Sequence, residues 1–538
     1  MQPTGKLREL FQAYSRINGT AFRNPHLVCC PTLSKAPNYG NVVRRFVEGS
    51  VLPPMNATAW TRLWLRYAAT NLGHLLFLLA AKVWVGLLGW AMPKALLKKH
   101  GAQRLLLVID TFALLPQIAR EKRYQEMYLT GVWEAAHAAG YTPVRLFRLY
   151  GSRSPRVLWQ ALAVLSQSGA GLTEVHLLRL RDFAALVWHL CVYPFALCGL
   201  IRSLRNSPPG TPEQAIHDAL IASAGQCVLV GEAYRLAAFR LGGLLARVGK
   251  NQATAPKVLS WYENQTLNKA FLYGLRSAQQ HGPRTIVIGA QLFTWPAALL
   301  NNHADDTEAA LGLAPDVVAV TGPEFLPEGS CQHYVVGPAL RYRHLFMPLA
   351  VPAKEGAARA TAETDDEKPL LALLSYHPEE TRRVLELVRP LAASPGKVAY
   401  KFHPATKAAD YAGLLPPAPS LVTTPLAEAL AGASGVIGAG SGALAEAVSL
   451  GCPVLAARTP GEDADMGLNY LPNFGEGKLW ATVETPEAVA PALAELRTFQ
   501  HSHEYAAAKA AFTALLFTEP TPQSIKALLA LGPAPTRP

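Results

Sequence analysis

Short apolar runs alternate with stretches of helical period along most of the chain after residue 104. Apolar runs of roughly four to eight residues, bounded by turn residues, are typical of strands buried on both faces of a parallel sheet. In the first half of the chain these runs are residues 105–109, 143–147, 258–262, 285–288 and 317–320. In the second half they are residues 370–375, 398–403, 421–423, 435–437 and 479–483. The pattern predicts α/β folds with parallel sheets covered by helices.

A polar, charged stretch with few aromatic residues separates the two halves, at residues 351–368. This composition is typical of a linker. We therefore predict two successive domains, residues 104–350 with a helical insertion and residues 369–538 with helices at the C-terminal end. Residues 1–103 form an N-terminal extension that carries one long apolar helix. Within it, residues 1–60 are rich in Pro, Asn and Gly and are expected to be irregular.

Two apolar segments, residues 71–90 and 183–201, have the length of a membrane-spanning helix. Lys82 lies in the middle of the first, where it costs about 2.5 to 3.5 kcal/mol on insertion scales. Both segments have Lys or Arg at both ends, and single crossings would leave residues 94–182 outside the cell together with a predicted strand. We therefore predict interfacial or re-entrant helices on the cytoplasmic leaflet, with buried core helices as the alternative.

Residues 434–456 have the pattern of a βαβ unit built around a glycine-rich turn. A strand, the turn and a helix are predicted at residues 435–437, 438–442 and 443–450, and Gly451 ends the helix. A second strand follows. No Lys-Ser or Lys-Thr pair follows the glycines, so the turn is not a Walker loop.

The glycine-rich turn is a candidate phosphate site. Gly440, Ser441 and Gly442 let the backbone approach a ligand closely, and the helix behind them presents unpaired N–H groups and the positive end of its dipole. Glu446, one turn into the helix, is placed to accept hydrogen bonds from ribose hydroxyls. The alternative is a turn whose glycines serve tight packing only.

The predicted strand 398–403 carries polar side chains at its carboxyl end, Lys401 and His403, and Pro404 follows. Lys401 and His403 have the same parity along the strand, so both can face one way. Ligands of doubly wound sheets bind outside the carboxyl ends of the strands. We therefore expect His403 and Ser441 at the mouth of one sheet, binding a diphosphate. A surface histidine beside a proline is the alternative.

Ser375 ends the first predicted strand of the second domain, and Tyr376 and His377 follow it. They are candidates to line the donor phosphate from the other side of the site. A loop that caps the next helix is the equally weighted alternative.

No metal site is predicted. Glu462, Asp463 and Asp465 lie in a glycine-rich polar stretch that we interpret as a solvated loop, and the histidines have no metal-binding spacing. The seven cysteines are odd in number and lie mostly in apolar runs, which excludes a disulfide framework and favours a reducing cytoplasm. The amino terminus lacks the apolar core of a signal peptide.

Charge is distributed unevenly over the 538 residues, of which 50% are hydrophobic and only 16% charged. Residues 1–257 hold 30 Lys and Arg against 11 Asp and Glu, net +19, and the remaining residues hold 20 against 27, net −7. A basic first half suits an anionic membrane surface or a lipid-linked phosphate. Nucleic acid is not expected as a partner, because no basic motif interleaved with aromatic residues is present.

Taken together, the motifs resemble those of GT-B glycosyltransferases of bacterial surface-carbohydrate synthesis, of the capsule and O-antigen (lipopolysaccharide) type. The branch concerned includes the polysialyltransferases, the capsular Kdo transferases and the CDP-glycerol polyol-phosphate transferases. The resemblance is carried by Lys401, His403 and Pro404, by Ser441, Gly442 and Glu446, and by the runs at 260–276 and 335–342. It covers roughly residues 104–515. It implies two Rossmann-like domains that face each other across a cleft.

The resemblance also implies a transfer reaction without a bound metal or cofactor. We expect inversion at the sugar, and the sequence leaves retention open as the alternative. The second domain would hold a CMP- or UDP-linked sugar as substrate, and the first a lipid-linked or growing glycan acceptor, at the cytoplasmic face of the inner membrane. The alternatives are a CDP-alcohol polyol-phosphate transferase, an enzyme like the nucleotide-sugar 2-epimerases, and a non-catalytic scaffold of a glycan assembly complex. The last belongs to a different functional class.

An inverting transfer needs a catalytic base, and Glu263 is the first candidate. It follows the apolar run 258–262, at the expected carboxyl end of a strand, and burial beside Trp261 and Tyr262 would raise its pKa. The alternative is a carboxylate that stabilises the N terminus of the next helix. Asp110, at the end of the first strand, is the second candidate.

Overall fold

The computed structural model describes residues 5–34, 42–43, 45–46, 52, 55–97, 105–152, 154–168, 171–250, 254–280, 283–296, 299–327, 332–347, 368–404, 406–458 and 470–532. All of the predicted linker except Lys368 lies outside these residues, as do Glu462, Asp463 and Asp465.

Seven strands of the described residues form an entirely parallel sheet in the first domain. They are β1 (Leu105–Leu114), β2 (Tyr141–Tyr150), β3 (Gly171–Thr173), β4 (Lys257–Trp261), β5 (Ile286–Ala290), β6 (Val317–Val320) and β7 (Tyr334–Val336). The spatial order is β3-β2-β1-β4-β5-β6-β7, so the winding reverses between β1 and β4. Asp110 pairs in register with Leu146 on β2 and with Ser260 on β4, which places it at the centre of the sheet.

A second parallel sheet is formed by six strands of the described residues. They are β8 (Leu370–Leu374), β9 (Val398–Phe402), β10 (Ser420–Leu421), β11 (Gly435–Gly438), β12 (Val454–Ala457) and β13 (Trp480–Val483). Their order is β10-β9-β8-β11-β12-β13, which reverses between β8 and β11. The predicted fold class, two Rossmann-like α/β domains, is confirmed.

Helices cover both sheets. Up to the end of the first domain they are α1 (Gly5–Ala21), α2 (Ala57–Leu87), α3 (Lys94–Leu97), α4 (Leu115–Glu121), α5 (Val132–Ala138), α6 (Pro155–Ser166), α7 (Glu174–Leu177), α8 (Leu180–Leu204), α9 (Pro212–Ser223), α10 (Leu229–Gly249), α11 (Thr266–Ser277) and α12 (Asp306–Ala310). Later helices are α13 (Pro378–Ala392), α14 (Leu426–Ala431), α15 (Ala443–Leu450), α16 (Pro486–Gln500), α17 (Tyr505–Leu516) and α18 (Pro522–Ala530). Short 3₁₀ turns lie at Leu300–Asn302, Pro323–Phe325, Leu340–Phe346 and Ala408–Tyr411.

The apolar runs became strands because helices on both faces of each sheet remove them from water. Every residue of β6, β8 and β11 is buried. The three-residue strand β3 was not predicted, because so short a run carries no periodic signal. The predicted helical insertion corresponds to α8, α9 and α10, between β3 and β4.

The expectation that residues 1–60 are irregular is wrong for their first part. Residues Gly5–Ala21 form α1, which buries Leu7, Leu10 and Tyr14 on one face. These side chains join a hydrophobic cluster with Ile216 of α9. The helix forms because its apolar residues recur at helical spacing and find an apolar surface on the first domain.

The two long apolar helices, α2 and α8, each have one buried and one exposed face. Both are long and apolar enough to cross a membrane by length and composition, yet only 33% and 28% of their most apolar windows are buried in the protein. Lys82 turns inward, and its Nζ donates a hydrogen bond to the carbonyl oxygen of Val175 at 2.7 Å. The helices therefore pack against the first domain and leave an apolar stripe uncovered.

The chain returns to the first domain at its C-terminal end, which corrects the assignment of all of residues 369–538 to the second domain. Leu528 and Leu529 on α18 pack in one cluster with Leu129 and Val132. The Tyr141 hydroxyl donates a hydrogen bond to the carbonyl oxygen of Leu529 at 3.0 Å. Helix α18 is apolar on one face, and the first domain provides the surface that buries it.

Candidate active site

Residues that follow strands of the first sheet contact the second domain beside the N terminus of α15, which follows β11 at the reversal point of the second sheet. Thr294, after β5 in the first domain, lies against Gly442 at the start of α15 in the second. His344 Nε2 of the first domain lies 2.9 Å from Glu446 Oε2 of the second. Because doubly wound sheets bind ligands at these reversal points, the cleft between the domains is the candidate active site.

The glycine-rich turn has the backbone conformation that its sequence predicts. Gly440 has φ +52°, in the left-handed region that favours glycine. Ser441 Oγ accepts a hydrogen bond from the backbone N–H of Ala443 at 3.3 Å. Gly442 is the N-cap of α15 and has no side chain to cap the helix, so Ser441 Oγ takes only the N–H of Ala443. The N terminus of α15 therefore resembles the helix N termini that bind anions in other proteins.

A carboxylate lies directly against this turn. A Cβ added at Gly440 would overlap with Glu380 Oε2, which is buried and makes no hydrogen bond to the residues that the structure describes. The negative charge of Glu380 opposes a phosphate beside Gly440. A phosphate is therefore favoured further along the turn, beside Ser441 and Gly442, or after the Glu380 side chain rotates away.

His403 belongs to a cluster of rings at the ends of β8 and β9. Its backbone N–H donates to the carbonyl oxygen of Leu374 at 2.9 Å, which continues the pairing of the two strands. The ring centroids of His403 and Tyr376 are 5.3 Å apart, and those of Tyr376 and His377 are 4.0 Å apart. Partial burial lowers the pKa of His403, and the charge of His377 lowers it further. The imidazole is therefore neutral near pH 7 and can donate one N–H to a ligand oxygen.

The other predicted donor-site residues in this region have local partners. Ser375 Oγ accepts a hydrogen bond from the backbone N–H of His377 at 3.1 Å and so shapes the loop after β8. Lys401 Nζ donates to the carbonyl oxygen of Thr424, next to the edge strand β10. Pro404 follows His403 and is exposed. His403 thus packs against the loop after β8, whereas the Lys401 ammonium group is hydrogen-bonded to a backbone carbonyl oxygen.

Glu446 projects from the first turn of α15 into the cleft. Its carboxylate pairs with His344, and the charge of Arg341 acts on it from the same 3₁₀ turn, Leu340–Phe346. Glu446 therefore has a partner from the other domain at the place where the sequence predicts a contact with ribose.

The loop after β4 holds Glu263 in a defined position. Asn268 Oδ1 accepts hydrogen bonds from the backbone N–H groups of Glu263 and Gln265, at 3.2 and 3.1 Å. Asn264 has φ +52°, a conformation that Asn tolerates better than most residues. Its side chain is fixed by the Tyr262 hydroxyl, which donates to Asn264 Oδ1 at 2.9 Å. The sequence Glu-Asn-Gln thus forms a turn that presents Glu263 at the carboxyl end of β4.

The Glu263 carboxyl group is partly buried between the domains. Desolvation raises its pKa to about 8, against the opposing effects of Arg341, of a hydrogen bond from Gln265 and of Arg148. Glu263 in turn contributes to the raised pKa of Tyr376, after partial burial and Glu380. The carboxyl group is therefore within electrostatic reach of the ring cluster in the second domain.

Asp110 lies in the interior of the first domain and is fully buried. Its carboxylate pairs with Arg148, whose Nε donates to Oδ1 at 2.7 Å, and it accepts hydrogen bonds from the hydroxyls of Tyr234 and Ser260. An inaccessible carboxylate with these partners positions its neighbours. Of the two predicted catalytic carboxylates, only Glu263 is open to the cleft.

Several residues at the cleft were not predicted from the sequence: Thr294, Arg341, His344, Glu380 and Tyr470. Arg341 lies in the run 335–342, which carries part of the motif resemblance, but that run predicts no contact for this residue. A basic cluster after a Gly-Pro break at the end of a strand is the signal that could have pointed to this side of the cleft.

Three groups at the cleft have a chemical use: the Glu263 carboxyl group, the N terminus of α15 and the His403 ring. A carboxyl group with a pKa near 8 can take up a proton at mildly alkaline pH. In the second domain, the N terminus of α15 and the neutral ring of His403 offer donors for phosphate oxygens. In the described part of the chain, no group of three His, Cys, Asp or Glu residues could hold a metal ion.

No protein-family model matches the sequence, and no curated protein matches it. Several solved structures resemble this protein in architecture. The glycosyltransferase VinC in complex with DTDP is 13% identical, covers 79% of this chain and 98% of its own, and has a TM-score of 0.41. MurG from Acinetobacter baumannii is 12% identical, with 79% and 99% coverage and a TM-score of 0.37. A UDP-N-acetylglucosamine 2-epimerase is 12% identical, with 79% and 95% coverage and a TM-score of 0.35. These are similarities of two-domain architecture, so the function of this chain has to be inferred from its own residues.

Proposed function

We propose that this protein is a glycosyltransferase of the GT-B type, which moves a sugar from a nucleotide-sugar to a glycan or lipid-linked acceptor. One observation carries the proposal. Glu263, with a pKa of about 8, follows β4 at the reversal point of the first sheet and acts electrostatically on Tyr376, whose ring packs against His403 in the second domain. The N terminus of α15 follows β11, at the reversal point of the second sheet. A base and a phosphate-binding surface facing each other across a cleft are the two parts that an inverting transfer needs.

The reaction can be written from these parts. The acceptor hydroxyl gives its proton to the Glu263 carboxylate while its oxygen forms a bond to the anomeric carbon. The bond between that carbon and the phosphate oxygen of the donor breaks, and the nucleotide leaves with an added negative charge. The N–H groups at the start of α15 and the His403 ring stabilise that charge. A single displacement of this kind inverts the configuration of the sugar.

The donor in this proposal is a CMP- or UDP-linked sugar, and the pathway is synthesis of a surface polysaccharide such as a capsule or lipopolysaccharide. Both follow from the motif resemblance around His403 and Ser441. Glu446, one turn into α15, would meet the ribose.

We further propose that the protein works at the cytoplasmic face of the inner membrane, bound peripherally or as a monotopic protein. The support is the exposed apolar stripe of α2, which includes Leu72, Leu76 and Val83, and that of α8, which includes Trp188 and Phe195. Exposed arginines lie at the ends of these helices: Arg62, Arg66, Arg179, Arg181, Arg202 and Arg205. Apolar stripes bordered by basic residues favour the surface of an anionic bilayer.

The test is a turnover assay on the purified full-length chain. The protein is incubated with CMP-, UDP-, GDP- and ADP-sugars and a glycolipid extract, and release of the nucleotide is measured. We expect turnover with one nucleotide class, reduced about 10²- to 10⁴-fold in Glu263→Gln, the usual contribution of a general base. Glu495→Gln, an exposed glutamate on α16, is the matched control and is expected to retain activity. Full activity of Glu263→Gln would contradict the assigned role, and no turnover with any donor would favour the scaffold.

A further inference from the structure

Apart from the cleft between the domains, the protein has a cavity of about 450 Å³ in the first domain, near the candidate base. Its walls come from the ends of β1 and β2 and from helices α2, α7, α10 and α11. Its volume is in the range of pockets that bind small molecules, roughly 300 to 1,000 Å³. Nothing in the proposed donor chemistry uses it.

The cavity lies near Glu263, which is not itself one of its lining residues. Leu267, which lines the cavity, lies on the first turn of α11, four residues beyond Glu263. Phe112 is another wall, and its ring centroid is 4.6 Å from that of Trp261 at the end of β4. The positive charge of Arg148 reaches the Glu263 carboxyl group and acts on its pKa. A molecule bound to Arg148 in this cavity therefore lies on the same side of the first domain as the proposed base.

Two buried polar atoms of the cavity lining have no partner among the described residues: Arg148 Nη1 and Glu174 Oε2. The rest of the Arg148 guanidinium is fully engaged, because Nε and Nη2 donate to Asp110, to the Tyr234 hydroxyl and to Ser260 Oγ. Buried polar atoms are almost always hydrogen-bonded in folded proteins. An unpaired donor and an unpaired acceptor that line one cavity indicate a ligand that supplies both partners.

The charges around the cavity decide which ligand fits. Asp110 already neutralises Arg148, and burial raises the pKa of Glu174 to about 7, so the group has a net charge of −1 only above neutral pH. Above that pH, a phosphate or a carboxylate would lie beside the buried negative charge of Glu174 and is disfavoured. A hydroxyl-bearing ring suits the pair, because one hydroxyl accepts from Arg148 Nη1 and another donates to Glu174 Oε2. The rings of Phe77, Phe112 and Tyr150 supply apolar surface for the ring's C–H groups.

From these contacts we infer that the cavity is a subsite for an uncharged sugar ring, the terminal residue of the acceptor, bound through Arg148 and Glu174. The inference rests on the proposed transferase function and adds the unit of the acceptor that is recognised. It also agrees with the position of α2, which lines the cavity with His74 and Phe77 and exposes Leu76 on another face. One helix thus borders both the sugar subsite and the surface proposed to meet the membrane.

The test measures binding without requiring transfer. Saturation-transfer NMR on the full-length chain compares methyl glycosides of neutral hexoses and N-acetylhexosamines with a methyl hexuronide and with glycerol phosphate, all at millimolar concentration. We expect signals from at least one neutral glycoside and none from the two anions. Glu174→Ala removes the acceptor and is expected to raise the Kd about tenfold or more, whereas Glu174→Gln retains an oxygen acceptor and is expected to lose less.

A cavity-filling variant locates the binding. Val230 lines the cavity and is only partly buried, so Val230→Trp is expected to abolish the neutral glycoside signal while the melting temperature stays close to that of the wild type. An unchanged signal in a folded Val230→Trp protein, equal binding of the anions, or no signal from any neutral glycoside would overturn the inference. Nucleotide binding, measured separately on the same protein, tests the proposed transferase function and is independent of these outcomes.

Discussion

His344 of the first domain and Glu446 of the second are joined across the cleft, with 2.9 Å between Nε2 and Oε2. The Glu446 side chain is mostly buried, whereas the His344 side chain is partly exposed, so His344 lies on the solvent side of the pair. The contact links the relative position of the domains to the residue proposed to bind ribose. Glu446 therefore has two separable roles, and the two can be tested with different ligands and variants.

Glu446→Ala is predicted to weaken nucleotide binding through the ribose. A hydrogen bond to a charged group contributes about 1.5 to 3 kcal/mol, which corresponds to roughly 10- to 100-fold in Kd. The wild type should bind a ribonucleotide more tightly than its 2′- or 3′-deoxy analogue, and the variant should bind the two equally, as measured by calorimetry. His344→Ala is the matched control, since it removes the cross-domain partner and keeps the carboxylate. If ribo- and deoxynucleotides differ in affinity for the Glu446→Ala variant as much as for the wild type, Glu446 does not contact ribose.

The pH dependence of turnover is predicted to follow the ionisation of Glu263. The carboxyl group is protonated below its pKa of about 8, so only a minor fraction is available as a base near pH 7. The rate at saturating donor should rise about tenfold per pH unit below this value and level off above it. Stopped assays from pH 6 to pH 10 measure the profile. A rate that is already level at pH 6 would show that a group other than Glu263 is the base.

Gly442 is predicted to be required because Thr294 lies against it. The residue has φ −60°, so an alanine is not strained in the backbone, but its Cβ would overlap with Thr294 Oγ1. Overpacking of this kind costs roughly 1 to 3 kcal/mol. Gly442→Ala should therefore lower the free energy of unfolding measured in denaturant, and Thr294→Ala in the same chain should recover part of it. Thr294→Val, which keeps the bulk, should not. Equal losses in both double variants would exclude this contact as the cause.

Membrane binding is predicted to depend on the exposed stripe of α2. Leu76 and Val83 are each 58% exposed, and glutamates there remove apolar area and add repulsion from anionic lipid. The Leu76→Glu/Val83→Glu protein should float with anionic vesicles about tenfold less than the wild type. Leu414→Glu, an exposed leucine of the second domain, is the control and should float normally. Flotation should also fall with salt, because the flanking arginines contribute through charge. Normal flotation of the double variant would exclude α2 from the membrane contact.

How far the sequence predicts this structure depends on the range of the interactions involved. The strands β6, β8 and β11 could be predicted because parallel strands buried on both faces have continuous apolar sequences. The position of Glu263 followed from a local succession of strand, turn and helix. Helix α1 was missed although Leu7, Leu10 and Tyr14 recur at helical spacing, because the residues that follow them are rich in Pro, Asn and Gly.

Contacts between the domains could not be predicted. His344 and Glu446 are 102 residues apart, and neither lies in a motif that refers to the other. The packing of α18 against the first domain could not be predicted either, because the composition of its apolar face is compatible with packing on either domain. The unpaired atoms of Arg148 and Glu174 become recognisable only once three elements of the first domain are assembled around them.

The proposal that the second domain binds the donor nucleotide is tested most directly by measuring nucleotide binding. CMP, CDP, UDP, GDP and ADP are added in turn to the full-length wild type, to His403→Ala and to Glu263→Gln, and the shift in melting temperature is measured. A ligand that binds only the native state stabilises it, by about 2.7 kcal/mol at a hundredfold excess over Kd. We expect a shift with CMP, CDP or UDP that is lost in His403→Ala and kept in Glu263→Gln. No shift with any nucleotide, or an undiminished shift in His403→Ala, would contradict it.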